Sequence, residues 1–201
     1  MKKILILFAH PALEKSRINK QIIADLDNLE NVTFRDLYEL YPDFNIDVQE
    51  EQQLLLEHDI IIFQHPFYWY STPAILKEWQ DLVLEHGWAY GSEGKALAGK
   101  WLMNAMTAGG GKESYNAEGF NQYTIREFLQ PIERTAILCK MHYLAPMVLH
   151  GTHSCTTTKV TTFKAQYLKL LKRLVEDELP LSTLQSAAYM NDLFKGDGND
   201  A

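Results

Sequence analysis

The sequence predicts an α/β fold in which a five-stranded parallel sheet carries helices on both faces. Two observations carry this. Apolar runs of strand length, such as ILILFA from Ile4 and IIIF from Ile60, are continuous rather than alternating, which suits strands buried on both faces. Stretches with apolar residues at helical spacing separate them, so strand and helix patterns alternate five times along the 201 residues.

The elements follow in order. Lys3 to Ala9 is the first strand. Lys2 and Lys3 before an apolar run resemble the start of a signal peptide, but the run is too short and His10-Pro11 ends it without a small-residue cleavage site. Ser16 caps a helix with Ile18, Ile22, Ile23, Leu26 and Leu29 on one face. Val32 to Leu37 is the second strand, and Tyr38 to Ile46, with Pro42, is an ordered loop. Asp47 and Glu50 form a capping box for a helix ending near His58. Ile60 to Phe63 is the third strand, followed by a long loop from Gln64 to Pro73. Ile75, Leu76, Trp79, Leu82 and Val83 stripe the next helix, and the glycine-rich stretch from Gly87 to Gly99 punctuates the chain. Trp101 to Met106 is the fourth strand, and Tyr123 to Ile132 is helical until Pro131. The fifth strand is either Ile137 to Cys139 or Tyr143 to Leu149. Val160, Phe163, Tyr167, Leu170, Leu171 and Leu174 mark a last amphipathic helix. Residues 1–194 are expected to form a single domain, with a frayed Gly- and Asp-rich tail over 195–201.

Five strands favour the flavodoxin-like order 2-1-3-4-5 over a six-stranded dinucleotide fold. Ligands in such sheets sit beyond the carboxyl ends of the strands, at the switch point between the first and third. That selects the loops 10–19, 64–73 and 107–115.

Composition narrows the function. A net charge of -7 provides no basic field for a phosphate backbone or anionic lipid, which argues against nucleic acid and direct membrane adhesion. Two cysteines, Cys139 and Cys155, do not make a disulfide framework, so the expected compartment is the reducing cytoplasm. No run approaches the roughly 20 apolar residues of a membrane helix. The run from His150 to Cys155 contains ligand residue types, yet no C-x-x-C or H-E-x-x-H accompanies it, and no metal site is expected.

Each selected loop has a ligand reading and a plainer one. At Ser16-Arg17-Ile18-Asn19 the helix start offers backbone N–H groups and neutral donors to an anion, while Ser16 is also an ordinary cap. G-x-G-x-x-G and the nucleoside triphosphate loop are both absent, so a single phosphate fits best. Phe67-Tyr68-Trp69-Tyr70 offers flat apolar surface for a planar ring, or for the core or a subunit contact. Gly109 and Gly110 either bring backbone donors close to a ligand's developing negative charge or simply form a flexible loop.

FAHP, SRIN, QHPFYWYSTPAILKEWQD and TAGGG together resemble the NAD(P)H quinone reductase family with the flavodoxin-like fold. LYELYPDFNID, IIFQHPFYWYSTP, HGWAYG and LAGK are similar to the ancillary, regulatory subunits of bacterial glutathione-gated potassium efflux systems. The resemblance runs from about Lys3 to about Thr152. It implies a homodimer with one flavin per subunit, an active site at the dimer interface, and NADH or NADPH as co-substrate. FMN is expected from the single serine-capped helix, with FAD as the alternative. His10, Ser16, Arg17, Ile18 and Asn19 would surround the phosphate and ribityl chain. Pro66, Phe67, Tyr68, Trp69 and Tyr70 would border the ring system. Thr107, Ala108, Gly109 and Gly110 would meet its pyrimidine side. The family's tyrosine after the glycines matches Tyr115, but its histidine six residues later is Asn121 here, which can donate a hydrogen bond and cannot carry the proton. The implied activity is ping-pong hydride transfer to a quinone or other electrophile. The implied partner is the cytosolic face of a potassium efflux antiporter, reached by protein contact rather than by lipid. A non-catalytic regulatory subunit is the alternative.

Overall fold

The computed structural model describes residues 1–194, so the expected frayed tail at 195–201 lies outside the described residues. Strands β1 (Ile4–Phe8), β2 (Val32–Asp36), β3 (Ile60–Pro66) and β4 (Trp101–Ala108) alternate with helices α1 (Arg17–Ile23), α2 (Leu37–Leu40), α3 (Val48–Glu57) and α4 (Ala74–Val83). After β4 come α5 (Ile125–Phe128), α6 (Gln130–Leu138), β5 (His142–Tyr143), β6 (Met147–His150), α7 (Thr157–Val175) and α8 (Leu181–Ser186). The order is β2-β1-β3-β4-β5, with β6 also on β4, and every pairing is parallel.

The fifth position therefore uses the Tyr143 to Leu149 alternative, but as a broken strand. His142–Tyr143 pairs with Trp101–Leu102, and Met147–His150 pairs with Ala105–Ala108. The break falls at Leu144-Ala145-Pro146, where Pro146 has no N–H to give the ladder. Leu144 N still donates to the Leu102 carbonyl at 2.9 Å, but the next backbone groups serve the C-terminal segment: Ala145 N donates to the Leu184 carbonyl at 2.8 Å and Met190 N to the Pro146 carbonyl at 2.9 Å.

Because side chains alternate along a strand, the sheet buries two cores. Leu5, Leu7, Ile61 and Phe63 face the side covered by α2 to α6, where Leu55, Trp79 and Ile125 join them. Ile4, Ile6, Ile60 and Ile62 face the side of α1 and α7 with Ile22, Phe163 and Tyr167. Leu82, expected in the α4 stripe, is 38% exposed.

Other expectations are revised by local chemistry. The aromatic loop after β2 begins with α2, because the Asp36 carboxylate accepts from Tyr38 N and Glu39 N. The Asp47 capping box is half made. Asp47 accepts from Glu50 N at 3.0 Å, but Glu50 Oε1 is bound to Arg35 Nη1 at 2.8 Å. The full capping box is Thr124–Glu127, ahead of α5. Pro131 starts α6 rather than ending a helix, since the first turn needs no N–H from it. Gln64 to Pro66 and Thr107-Ala108 belong to strands, not loops, so β3 and β4 reach further toward the ligand end. Leu26 sits in a separate 3-10 turn after α1.

One buried acid anchors the LYPDF segment. Glu51, fully buried, accepts from Arg35 Nη2 at 2.7 Å, Tyr41 Oη at 2.8 Å and Trp79 Nε1 at 2.8 Å. A buried carboxylate needs such partners. Burial, and then the same carboxylate, push the Tyr41 hydroxyl well above the usual phenol range.

Candidate functional site

A cavity of about 620 Å³ opens at the carboxyl ends of β1, β3 and β4, the position that the strand order selects. A volume of this size is ordinary for a small-molecule or cofactor site. Its walls come from segments that are far apart in sequence: His10 to Asn19, Pro66 to Tyr68, Thr107 with Gly109, and Thr152 with His153.

The first wall is the start of α1. Ser16 Oγ accepts from Asn19 N and from Asn19 Nδ2, both at 3.1 Å, and Asn19 Nδ2 reaches Thr107 Oγ1 at 3.3 Å. Ser16 is therefore a cap. Its hydroxyl hydrogen remains available as a donor, as do the first N–H groups of the helix, which have no partner within it. Arg17 lines the cavity, but its Nη2 donates to the Cys155 carbonyl at 3.1 Å, tying the loop after β6 to α1. His10 accepts from Ala12 N through Nδ1, and burial pulls its pKa below the usual histidine value.

The second wall is aromatic. Tyr68 lies edge-on to His10 at 6.0 Å, and Phe67 is packed by Tyr70, Tyr115 and Phe128 at 6.2, 6.0 and 5.6 Å. Trp69 and Tyr70 stand at φ 49° and 62°, the left-handed region, in a turn bridged by Tyr68 and Ser71. Trp69 is 93% exposed in the single chain and, like Tyr70, does not line the cavity.

The third wall needs its glycines for close approach. A Cβ on Gly109 would stand 2.5 Å from His153 Nε2, and one on Gly110 would stand 3.2 Å from the Tyr115 ring. Tyr115 is buried against this loop, and burial raises the pKa of its hydroxyl. Ala108 is wholly buried in β4. Asn121 uses its backbone N–H to bind the Ser114 carbonyl at 3.0 Å and lies outside the cavity lining.

Sequence reasoning missed Thr152 and His153, which line the cavity from the loop after β6, and Phe128, which backs Phe67. The run from His150 to Cys155 holds the signal, a cluster of polar residues directly after a strand. His150 itself packs between the Tyr115 and Tyr189 rings at 5.6 and 5.5 Å, with neither ring nitrogen hydrogen-bonded. Burial, then Lys112 and Lys159, lower its pKa to about 4. No helix among the described residues is long and apolar enough to cross a membrane.

Helix-start donors, an aromatic wall and closely approached glycine backbone thus line one cavity, and such groups suit a flat ring with an anionic tail. Comparisons with known proteins agree in fold and sequence. A family model described as "Flavodoxin-like fold" matches residues 2–173. The glutathione-regulated potassium-efflux system ancillary protein KefG of Pectobacterium atrosepticum is 50% identical over 148 residues, 74% of this chain and 81% of that protein. The crystal structure of general stress protein 14 from Treponema denticola in complex with FMN has TM-score 0.81 and 37% identity, covering 86% of this chain and 99% of that one. An NADPH-quinone reductase structure from P. pentosaceus has TM-score 0.76 and 33% identity, covering 84% and 96%. Fold order, matched length and identity together place this chain in the flavodoxin-like fold family, to which it belongs.

Proposed function

We propose that the chain is an FMN-dependent NAD(P)H:quinone or electrophile oxidoreductase that also serves as an activating ancillary subunit of a glutathione-gated potassium efflux antiporter. The observation that carries this reading is the single cavity that gathers the Ser16 helix start, the Phe67–Tyr68 wall and the Thr107–Gly109 backbone. The names of the relatives support it, as ancillary efflux protein, FMN complex and NADPH-quinone reductase.

Bound FMN would supply a two-electron carrier between the nicotinamide and the acceptor, in ping-pong order. The residues of the chain do the rest. The Ser16 hydroxyl and the N–H groups of Arg17 and Ile18 bind the phosphate, and His10 and Asn19 enclose the chain that follows it. Pro66, Phe67 and Tyr68 hold the ring plane and exclude water from one face. Thr107 and the backbone at Gly109 and Gly110 would present donors to the pyrimidine edge of the bound ring. Tyr115, backed by Phe67 and His150, places a hydroxyl at the glycine loop. Trp69 and Tyr70, exposed beside the cavity, would contact the second subunit of a homodimer.

The second reading is a regulatory subunit without turnover, favoured by Asn121 at a position where a proton carrier is expected. A mutant separates the two. Gly109→Val should abolish NAD(P)H–quinone turnover, and potassium efflux is then measured in cells carrying it. Efflux that survives loss of turnover assigns the ancillary role to the folded protein. Electrophile-triggered efflux untouched by deleting the whole gene would remove the partner and leave only the enzyme.

A further inference from the structure

A chain of buried polar side chains crosses three neighbouring strands of the sheet and ends at the cavity. His65 and Asn104 are fully buried and Tyr143 is nearly so. His65 Nδ1 lies 3.0 Å from the Pro66 carbonyl, His65 Nε2 lies 3.0 Å from Asn104 Nδ2, and Tyr143 Oη lies 2.7 Å from Asn104 Oδ1. The direction of every bond follows from the first. A carbonyl can only accept, so Nδ1 carries the hydrogen. Burial keeps the ring neutral, with its pKa lowered to about 4, so Nε2 presents a lone pair. Asn104 must then donate through Nδ2, which leaves Oδ1 to accept from the Tyr143 hydroxyl. One tautomer and one amide orientation satisfy all three strands.

The end of the chain matters for the cavity. Pro66 is the last residue of β3 and lines the cavity. Its carbonyl also accepts from Tyr68 N at 3.0 Å, while Phe67 N donates to the Thr107 carbonyl at 2.8 Å. Two donors thus fix the peptide plane from which the aromatic turn departs. That turn holds Trp69 and Tyr70 at positive φ, a backbone region that is strained for residues other than glycine. A strained turn keeps its shape only where its base is over-determined. An apolar side chain at position 65 could fill the same interior, but it could not aim the Pro66 carbonyl.

We propose that His65 is a positioning residue for the site: through Nδ1–H it fixes the Pro66 carbonyl and so sets the Phe67–Tyr68 wall against which the flavin ring lies. The ligand named here rests on the flavin reading above; the tautomer and the wall geometry do not.

The two amide variants of His65 test this, because each keeps a different half of the ring's bonding. His65→Asn places an amide nitrogen near the position of Nδ1 and can still serve Pro66. His65→Gln reaches toward Asn104 and loses Pro66. Both break one buried bond, so a purely structural role lowers the melting temperature of both and leaves the cavity indifferent to the difference. FMN affinity by fluorescence titration and the near-UV circular dichroism of the FMN-free protein are measured for each. The expected result is that His65→Asn stays within about threefold of the unmodified protein while His65→Gln binds FMN at least about tenfold more weakly, roughly 1.4 kcal/mol, and loses aromatic ellipticity. Equal affinities in the two variants, or the reverse order, would overturn the proposal. Should the unmodified protein bind no FMN, the flavin reading falls, and the ellipticity of the two variants still decides the positioning role. Should the variants fail to fold, nitrogen NMR of the unmodified protein decides: His65 is expected as the Nδ1–H tautomer, and an Nε2–H tautomer overturns the assignment.

Discussion

His153 lies directly over Gly109, with its Nε2 only 2.5 Å from where a Cβ on that glycine would stand. The glycine is required because a side chain from the loop after β6 occupies its face, and both residues line the same cavity. Gly109→Val should therefore push His153 aside and narrow the cavity. FMN affinity in a fluorescence titration should fall at least about tenfold, while the exposed histidine moves at little cost to stability. If Gly109→Val binds FMN normally, the cavity is not the flavin site.

The proposed site gives Ser16 a second duty beside its cap, and one substitution removes both. Ser16→Ala deletes the acceptor for Asn19 and should cost about 1 kcal/mol of stability as a lost cap. It also removes the free hydroxyl hydrogen, and flavin affinity should weaken by roughly 1–3 kcal/mol. Melting and titration read the two effects separately. Lost stability with unchanged affinity would confine Ser16 to capping.

Tyr115 is tested by kinetics. Its hydroxyl stands at the glycine loop, where the proposed site puts the flavin edge that gains charge only after hydride arrives, so Tyr115→Phe should slow flavin reduction more than it weakens nicotinamide binding. Stopped-flow reduction traces identical to those of the unmodified protein would take Tyr115 out of the site.

Two buried histidines set an acid limit on stability. His65 and His150 have pKa values lowered to about 4, chiefly by burial. Between about pH 6.5 and pH 4 the unfolded chain binds protons that the folded chain refuses, so stability must fall as pH drops through that window. For the fully buried His65 the loss is on the order of 3 kcal/mol at the bottom of the window. Urea unfolding at pH 7 and pH 4.5 measures it, and His65→Asn should flatten part of the slope. A stability that stays level to pH 4 would mean that both rings are protonated or solvated in the folded chain.

Much of this architecture was legible because its signals are periodic. Continuous apolar runs gave β1 and β3, a largely apolar run gave β4, and the strand order then selected three of the segments that line the cavity. The broken fifth strand was not legible, since Pro146 splits a run that otherwise reads as one strand and its backbone partners, Leu184 and Met190, lie more than thirty residues away in the chain. Thr152 and His153 lie on the loop after β6, which is not among the three loops that the switch point selects. Glu50 and Glu51 look alike in sequence, yet one is an exposed partner of Arg35 and the other the fully buried centre of a four-residue network. Tertiary contact decides between them, and no local pattern carries that information.

The most direct test is the protein's own spectrum. Purified protein reconstituted with flavin should be yellow, release one FMN per chain on heating, bleach with NADH or NADPH, and recover its colour when a quinone is added. A colourless chain that binds no added FMN, and whose Ser16 and Gly109 variants behave as it does, would contradict the account at its centre.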